Sequence, residues 1–506
     1  MKDKFSTIFL HFSLIVSIAW LVWHKTLNQT FWGDGFIYVD LGQKILGNSL
    51  QRVIWQYDLF GRIIFDVITP IFKANFAYYM IFQLLVVILL CYTLYFFIYK
   101  LTKDLFMAFF SSMFFITNYG ALYEMLAEGN YNRFVHRIPN FIPGLIAAYF
   151  LFRFFAKKKP LHLVLSLVLF TLTMLSAHFS VFLWPFFVFT CLFMAFDIKK
   201  PLRSVMLGII TASIFTAIVF FVISHSNQNS GYSPVTFLLQ NISSIEKTFY
   251  FTTPMVIPEE LVIFVGKHWQ FGEMIPPYLP LVRAYTTIIF ASAMIIGFLL
   301  YKKDNYLFRI FSICILSILA ANFLTIYSDP IKYNPFKYFG AGRQLFGQYF
   351  YYVLALPIAI KVLPWKKENS YKGVLVALII LSTIYNTYHS WKMIDSTQYS
   401  YEAMKRYLAH IKQIQPQFTD NSAIIVPPYF MAASAYVNRF YGSPTVAFVT
   451  APEDIEKVLK LDRENVFVIS YDYEKTTKGE FKADRGKIID LTNPYRQGVE
   501  FSNLPL

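Results

Sequence analysis

One segment of the chain has the residue types of a proton-transfer site. Trp32-Gly33-Asp34-Gly35-Phe36-Ile37-Tyr38-Val39-Asp40-Leu41-Gly42, running on to Leu46-Gly47-Asn48, follows closely on the first apolar run. Glycines on both sides of Asp34 allow a tight backbone and leave a short carboxylate room beside a bulky partner. A carboxylate near a low-dielectric boundary has its pKa raised, which suits a general base. The same Asp fits equally a turn that caps a following helix. Glu124 and Glu128, four residues apart, share a helix face. Arg133, His136 and Arg137 also share a face, just before another apolar run, and could hold a phosphate or diphosphate. Ion pairing with the glutamates, or contact with headgroups, would account for the same residues. His178 lies in Ser176-Ala177-His178-Phe179-Ser180 between two apolar runs. There a His satisfied by a carbonyl and a functional polar group are the two readings. Lys337 and Arg343 bracket a Gly340-Ala341-Gly342 stretch where backbone can approach a ligand. Their alternatives are a phosphate clamp and interfacial snorkelling. Glu259-Glu260, His268-Trp269 and Glu273 fit sugar contact by stacking and hydrogen bonding, and fit plain membrane contact as well.

The elements that must position these residues follow from composition. The chain has 506 residues, 56% hydrophobic, 19% aromatic and 15% charged, with 55 Phe and 35 Tyr. Soluble domains carry about a quarter charged residues. That many aromatic side chains cannot be hidden in soluble cores, so the sequence reads as a polytopic helical membrane protein. Cys91, Cys191 and Cys314 all lie in apolar runs, which excludes a disulfide scaffold. No Cys-x-x-Cys or His/Cys cluster points to a structural zinc.

A spanning helix needs ~20 mainly apolar residues. Eleven such runs are read at about 5–23, 80–99, 105–121, 138–155, 161–177, 179–196, 204–223, 285–301, 307–326, 345–363 and 373–391. Alternate ends are strongly basic, with 18 basic against 5 acidic residues, while the opposite ends before residue 392 carry 13 and 11. The net charge of +15 therefore sets topology and does not signal nucleic acid. The positive-inside rule puts the basic ends and the N-terminus in the cytoplasm. Connections at 24–79, 122–137, 224–284 and 327–344 then face outward, with a tight turn at 177–179. The first run resembles a signal peptide, but its length and its Trp20 and Trp23 belt predict an uncleaved helix. In the first outer loop, Leu59, Ile63 and Val67 with Phe60, Ile64 and Ile68 form an apolar stripe. That stripe predicts a helix lying in the interface, ended by Pro70.

Residues 392–506 hold 14 charges of each sign and read differently. A helix at Tyr401 to Ile414, a strand at Ala423 to Val426, a helix at Phe430 to Phe440 and a strand at Thr445 to Val449 come first. A helix opened by Pro452 and a strand at Val466 to Ser470 follow. The alternation predicts a small parallel α/β domain outside the membrane. It carries no nucleotide-binding loop.

The cytoplasmic N-terminus, one helix, then an outer loop with Asp34, Tyr38 and the Leu46-Gly47-Asn48 end resembles the GT-C superfamily. These are membrane glycosyltransferases that use polyprenyl-phosphate-linked sugars, such as protein O-mannosyltransferases and lipid A aminoarabinose transferases. The resemblance covers about 1–391 and the outer domain after it. It implies an inverting transferase in the plasma membrane, with a polyprenyl-phosphate-sugar donor and an extracytoplasmic acceptor. It also implies Asp34 as the catalytic base. Many members have a paired acid where this chain has Asp34-Gly35, so Asp40 or Glu128 would take the second place. A divalent metal held by Asp34 and Glu128 is left open. Arg343, Lys337, Arg133, His136 and Arg137 would serve the donor phosphate, and His178, Tyr38 and Trp269 the substrates. A transporter, flippase or polymerase of lipid-linked glycans is the competing class. Few midplane charges, no internal repeat and polar groups gathered on one face favour the enzyme.

Overall fold

In lipid every backbone N–H and C=O must be satisfied within the chain, so apolar runs fold as helices. The computed structural model describes residues 2–29, 67–68, 71–72, 75–118, 122, 126, 131–176, 178–196, 201–224, 279–328, 346–365, 370–417, 422–426, 445–448, 465–475 and 481–490. Among them the helices are α1 (Lys2–Trp23), α2 (Phe76–Thr102), α3 (Leu105–Ile116), α4 (Tyr131–Lys157), α5 (Pro160–Ser176) and α6 (Trp184–Ala195). They continue with α7 (Pro201–Ser224), α8 (Leu279–Lys303), α9 (Asn305–Ser328), α10 (Phe346–Val362) and α11 (Ser370–Ile414). Among the described residues six segments are long and apolar enough to cross a membrane: Phe5–Asn28, Phe76–Thr102, Ile138–Lys157, Pro201–Val222, Asn305–Leu324 and Ser370–Lys392. The chain is an integral membrane protein.

Two expected spans are shorter as regular helices, Leu105–Ile116 and Trp184–Ala195, while Pro160–Ser176 keeps its expected length. A 12-residue α-helix rises only ~18 Å, against ~30 Å of hydrocarbon. α3 ends at its C-cap Thr117, whose N–H makes the last helical bond, to Met113 O at 3.1 Å. α6 has Pro185 in its first turn, which has no N–H and obstructs helix extending back through residue 181. The chain there forms a 3-10 segment, His178–Leu183, where a tight turn and a longer helix were expected.

Tight turns join the antiparallel pairs. Asp104 caps α3, its Oδ1 accepting from Phe106 N (3.0 Å) and Met107 N (3.1 Å). Asp304 caps α9 in the same way, from Tyr306 N and Leu307 N at 3.0 Å each. Each Asp follows a lysine, and Lys103 ends α2 in the left-handed conformation, φ 59°. Large side chains fill the interior: Trp23, Tyr79, Tyr95, Phe110 and Tyr407 are fully buried. Outward, Phe5, Phe9, Phe221, Met294, Leu381 and Ile384 stand exposed, as a lipid-facing surface requires. Cys91, Cys191 and Cys314 are buried and unbridged.

The last helix differs most from expectation. A short span and a separate helix at 401–414 are one continuous 45-residue helix, because no Gly or Pro interrupts 374–414 and Pro416 comes only after its end. At 1.5 Å per residue it is ~68 Å long, so its second half extends past the hydrocarbon. Beyond it, β1 (Ser422–Val426), β2 (Thr445–Phe448), β3 (Asn465–Lys475) and β4 (Phe481–Asp490) form one sheet in the order β2-β1-β3-β4. β1 is parallel to β2 and β3, with Ile424 opposite both Val446 and Phe467. β4 runs antiparallel to β3, so the sheet is mixed, not purely parallel, and β4 lies against α11. The helices expected at 430–440 and from 452 lie outside the described residues. So does most of the interfacial helix, of which 67–68 and 71–72 are helical, with Ile68 buried and Val67 exposed.

Candidate functional site

The turns at Lys103–Asp104, Lys158–Lys159 and Asp304 gather at one end of the helix bundle. Phe97 near the end of α2 meets Phe152 near the end of α4, with ring centroids 6.3 Å apart. Lys361 on α10 and Tyr371 on α11 both reach Asp104, at 2.9 Å each. Lys303 Nζ donates to Val362 O at 2.9 Å, which ties the α8–α9 turn to the same end. This is the basic end. By connectivity the other termini of these helices belong to the opposite, distal end.

At the distal end the exit from α1 is fixed from three sides. The buried Trp23 indole donates to Ile116 O at the end of α3, at 2.8 Å. A 3-10 turn, His24–Asn28, follows. Within it the Lys25 ammonium pairs with Asp395 at 2.8 Å and lies 5.0 Å from the Trp391 ring, both on the extension of α11. His24 meets Trp391 edge to face, and the Lys405 ammonium donates to Asn28 O. Thr117 at the end of α3 in turn bonds Ser382 on α11, at 3.2 Å. The loop bearing Asp34 therefore starts from a position set by α11, five residues before the carboxylate. Sequence periodicity could not reveal this clamp, since its partners are 370 residues apart.

The 3-10 segment that begins at His178 enters the bundle between α4 and α10. Phe182 and Leu183 are buried within it, 8% and 2% exposed. Two glycines admit it: a Cβ on Gly144 of α4 would lie 2.5 Å from Leu183 Cδ1, and one on Gly347 of α10 would lie 2.9 Å from Phe182 Cβ. Irregular backbone at membrane depth survives only when its polar groups are satisfied inside protein. Tyr351 supplies that, its hydroxyl donating to Phe182 O at 2.5 Å. Tyr351→Phe strands a buried carbonyl, and a loss of about 1–2 kcal/mol is expected, read as a lower melting temperature in detergent. An unchanged melting temperature would remove the tyrosine from this role. The signal in the sequence was the pairing of Gly144 and Gly347 with a Pro185 helix start, which only the fold brings together.

The distal halves of the helices also hold buried polar groups without partners among the described residues. Gln83 on α2 is fully buried with neither amide atom bonded, and Thr383, Thr387 and Ser390 form a line of unbonded hydroxyls on α11. Unsatisfied groups of this kind are costly in an apolar interior and mark where water, ligand or further chain completes the structure. Arg133, His136 and Arg137 lie in the first two turns of α4, which begins at Tyr131, earlier than expected, so all three ride on the helix itself. His178 opens the 3-10 segment. Because α4 and α5 form one hairpin through Lys158–Lys159, these four positions share the distal end. Asp34, Tyr38, Asp40, Glu128, Trp269, Lys337 and Arg343 lie outside the described residues. Among the described residues no three His, Cys, Asp or Glu side chains gather as a metal site. The chain matches no family model and no curated protein.

Proposed function

We propose that the protein is a GT-C-type glycosyltransferase of the plasma membrane, crossing it eleven times with the N-terminus in the cytoplasm. The sheet after α11 would belong to an extracytoplasmic α/β domain. The observation that carries the reading is the convergence of its candidate groups at one end: the clamped start of the Asp34 loop, the α4 cations and the unpartnered buried polar groups. An apolar groove between α8, α9 and α10 supports a lipid-linked donor. Its cavity is about 280 Å3. A second, of about 550 Å3, lies against the same two helices α8 and α9 on the side of Phe193 of α6, and both touch Phe290, Ala293, Phe311 and Ile315.

In this reaction the acceptor hydroxyl or amine attacks the anomeric carbon of the donor sugar while Asp34 takes its proton. The bond from that carbon to the phosphate oxygen breaks, and the polyprenyl phosphate leaves with the electron pair. Arg343, with Arg133 or Arg137, meets the charge that grows on the leaving phosphate, an interaction strongest in the transition state. Inversion at the carbon follows from single displacement. Lipids that co-purify with the detergent-extracted protein test the donor. Mass spectrometry should find a polyprenyl phosphate or its sugar ester on wild type and much less on Arg343→Ala. Bulk phospholipid alone on both would count against the transferase, and a lipid diphosphate oligosaccharide would point to a flippase or polymerase.

A further inference from the structure

The basic end contains a second site, independent of the proposed transfer. An open cleft of about 570 Å3 lies between the start of α1, the α2–α3 turn and the junction of α10 with α11. Thr7, His11, Lys103, Asp104, Lys361 and Lys372 line it. The one carboxylate among these described residues is committed: Asp104 pairs with Lys361 at 2.9 Å and accepts the Tyr371 hydroxyl at 2.9 Å. Lys103 and Lys372 meet no carboxylate among the described residues, and Lys372 is half-buried. Among the described residues that line the cleft, three lysines stand against one carboxylate, which leaves two positive charges there. Lys103 also holds φ 59°, a conformation glycine adopts freely and lysine does not.

The floor of the cleft turns apolar at once. The His11 ring is 8% exposed, stacks on Phe109 at 4.3 Å and bonds the Tyr95 hydroxyl at 2.9 Å. On α1, Leu10 and Leu14 share the face of Thr7 and His11 by their spacing and are 56% and 39% exposed. A ligand seated here meets cations at the rim and lipid-exposed side chains directly below. We propose that this cleft binds the phosphate of an anionic glycerophospholipid from the leaflet at the basic end, its acyl chains lying along Leu10 and Leu14. Basic pockets between transmembrane helices suit such headgroups, and each lysine contributes roughly 5-fold in affinity.

Native mass spectrometry on full-length protein, taken from nanodiscs of phosphatidylcholine containing a minor fraction of phosphatidylglycerol, tests this. Wild type should retain phosphatidylglycerol selectively. Lys103→Gln with Lys372→Gln should lower that retention by about tenfold or more. The Lys103→Arg, Lys372→Arg pair should restore it, which shows that charge and not folding is lost. Lys302→Gln, an exposed lysine of the same end lying over Phe298 and outside the cleft, should change nothing. Equal retention by wild type and the glutamine pair would overturn the proposal. Displacement of the lipid by millimolar inorganic phosphate would overturn the lipid assignment in favour of a free phosphate.

Discussion

Asp34→Asn should leave the protein folded and still carrying its lipid, and should reduce sugar transfer by about 10²–10⁴-fold. The asparagine keeps the shape and the hydrogen-bonding oxygen of the side chain but cannot take a proton. A turn or helix cap tolerates that change, because Asn caps about as well as Asp. A general base does not. The variant therefore separates the two readings of a lone carboxylate between glycines. The clamp sharpens the comparison: Lys25, His24 and Asn28 hold the chain against α11 independently of residue 34. A melting temperature equal to wild type together with lost transfer into an extracytoplasmic acceptor is the expected pair of results. Full activity would remove Asp34 from the chemistry. Asp40→Asn and Glu128→Gln, assayed beside it, would identify the carboxylate that acts instead.

How much of this was legible depended on the range of the forces involved. Helices fall on the apolar runs because lipid leaves the backbone no other partner, and their basic turns could be located from Lys103, Lys158 and Lys303. What each turn does was not legible. The charge count treats Lys103 and Asp104 as topology markers, whereas Asp104 caps α3 and ties together α10 and α11 through partners 257 and 267 residues away. The 3-10 segment after Ser176 escaped detection for a related reason. Its residues, Phe179 to Leu183, are as apolar as any helix, and only Gly144, Gly347 and Tyr351 on other helices make room for it and satisfy it. α11 was divided because its composition changes at 392, yet composition does not break a helix and no Gly or Pro lies there. β4 was missed because Phe481 to Asp490 is rich in charge, and its pairing with β3, not its own pattern, makes it a strand. The candidate catalytic residues Asp34, Asp40 and Glu128 lie outside the described residues.

The largest stability effect is expected at the basic end, from Asp104→Ala. The carboxylate caps α3 with two N–H groups and holds Lys361 and Tyr371 at 2.9 Å each. Losing the cap costs about 1 kcal/mol. Stranding a buried charge costs more, but the Lys361 side chain is 36% exposed, so water recovers part of it. A total of about 2–3 kcal/mol is expected. Asp104→Asn retains the cap and should lose only about 1 kcal/mol, so the two variants divide the effect. The pH dependence has a definite sign. Burial on its own would raise the Asp104 carboxyl, but the hydrogen bonds from Lys361 and Met107, the charge of Lys361 and the Tyr371 hydroxyl outweigh it and hold the group below the usual carboxylate range. A group depressed in the folded state stabilises above its unfolded pKa and ceases to do so as pH falls through the folded one. The gap between wild type and Asp104→Ala in melting temperature should stay level from about pH 8 to pH 5 and close below about pH 4. A gap that widened on acidification would mean the carboxylate is not the stabilising form. The same variant tests the lipid site from the opposite direction. Removing the only carboxylate among the described residues of the cleft frees Lys361, so anionic lipid should bind at least as well while the fold weakens. Loss of both together would show that Asp104 shapes the cleft itself.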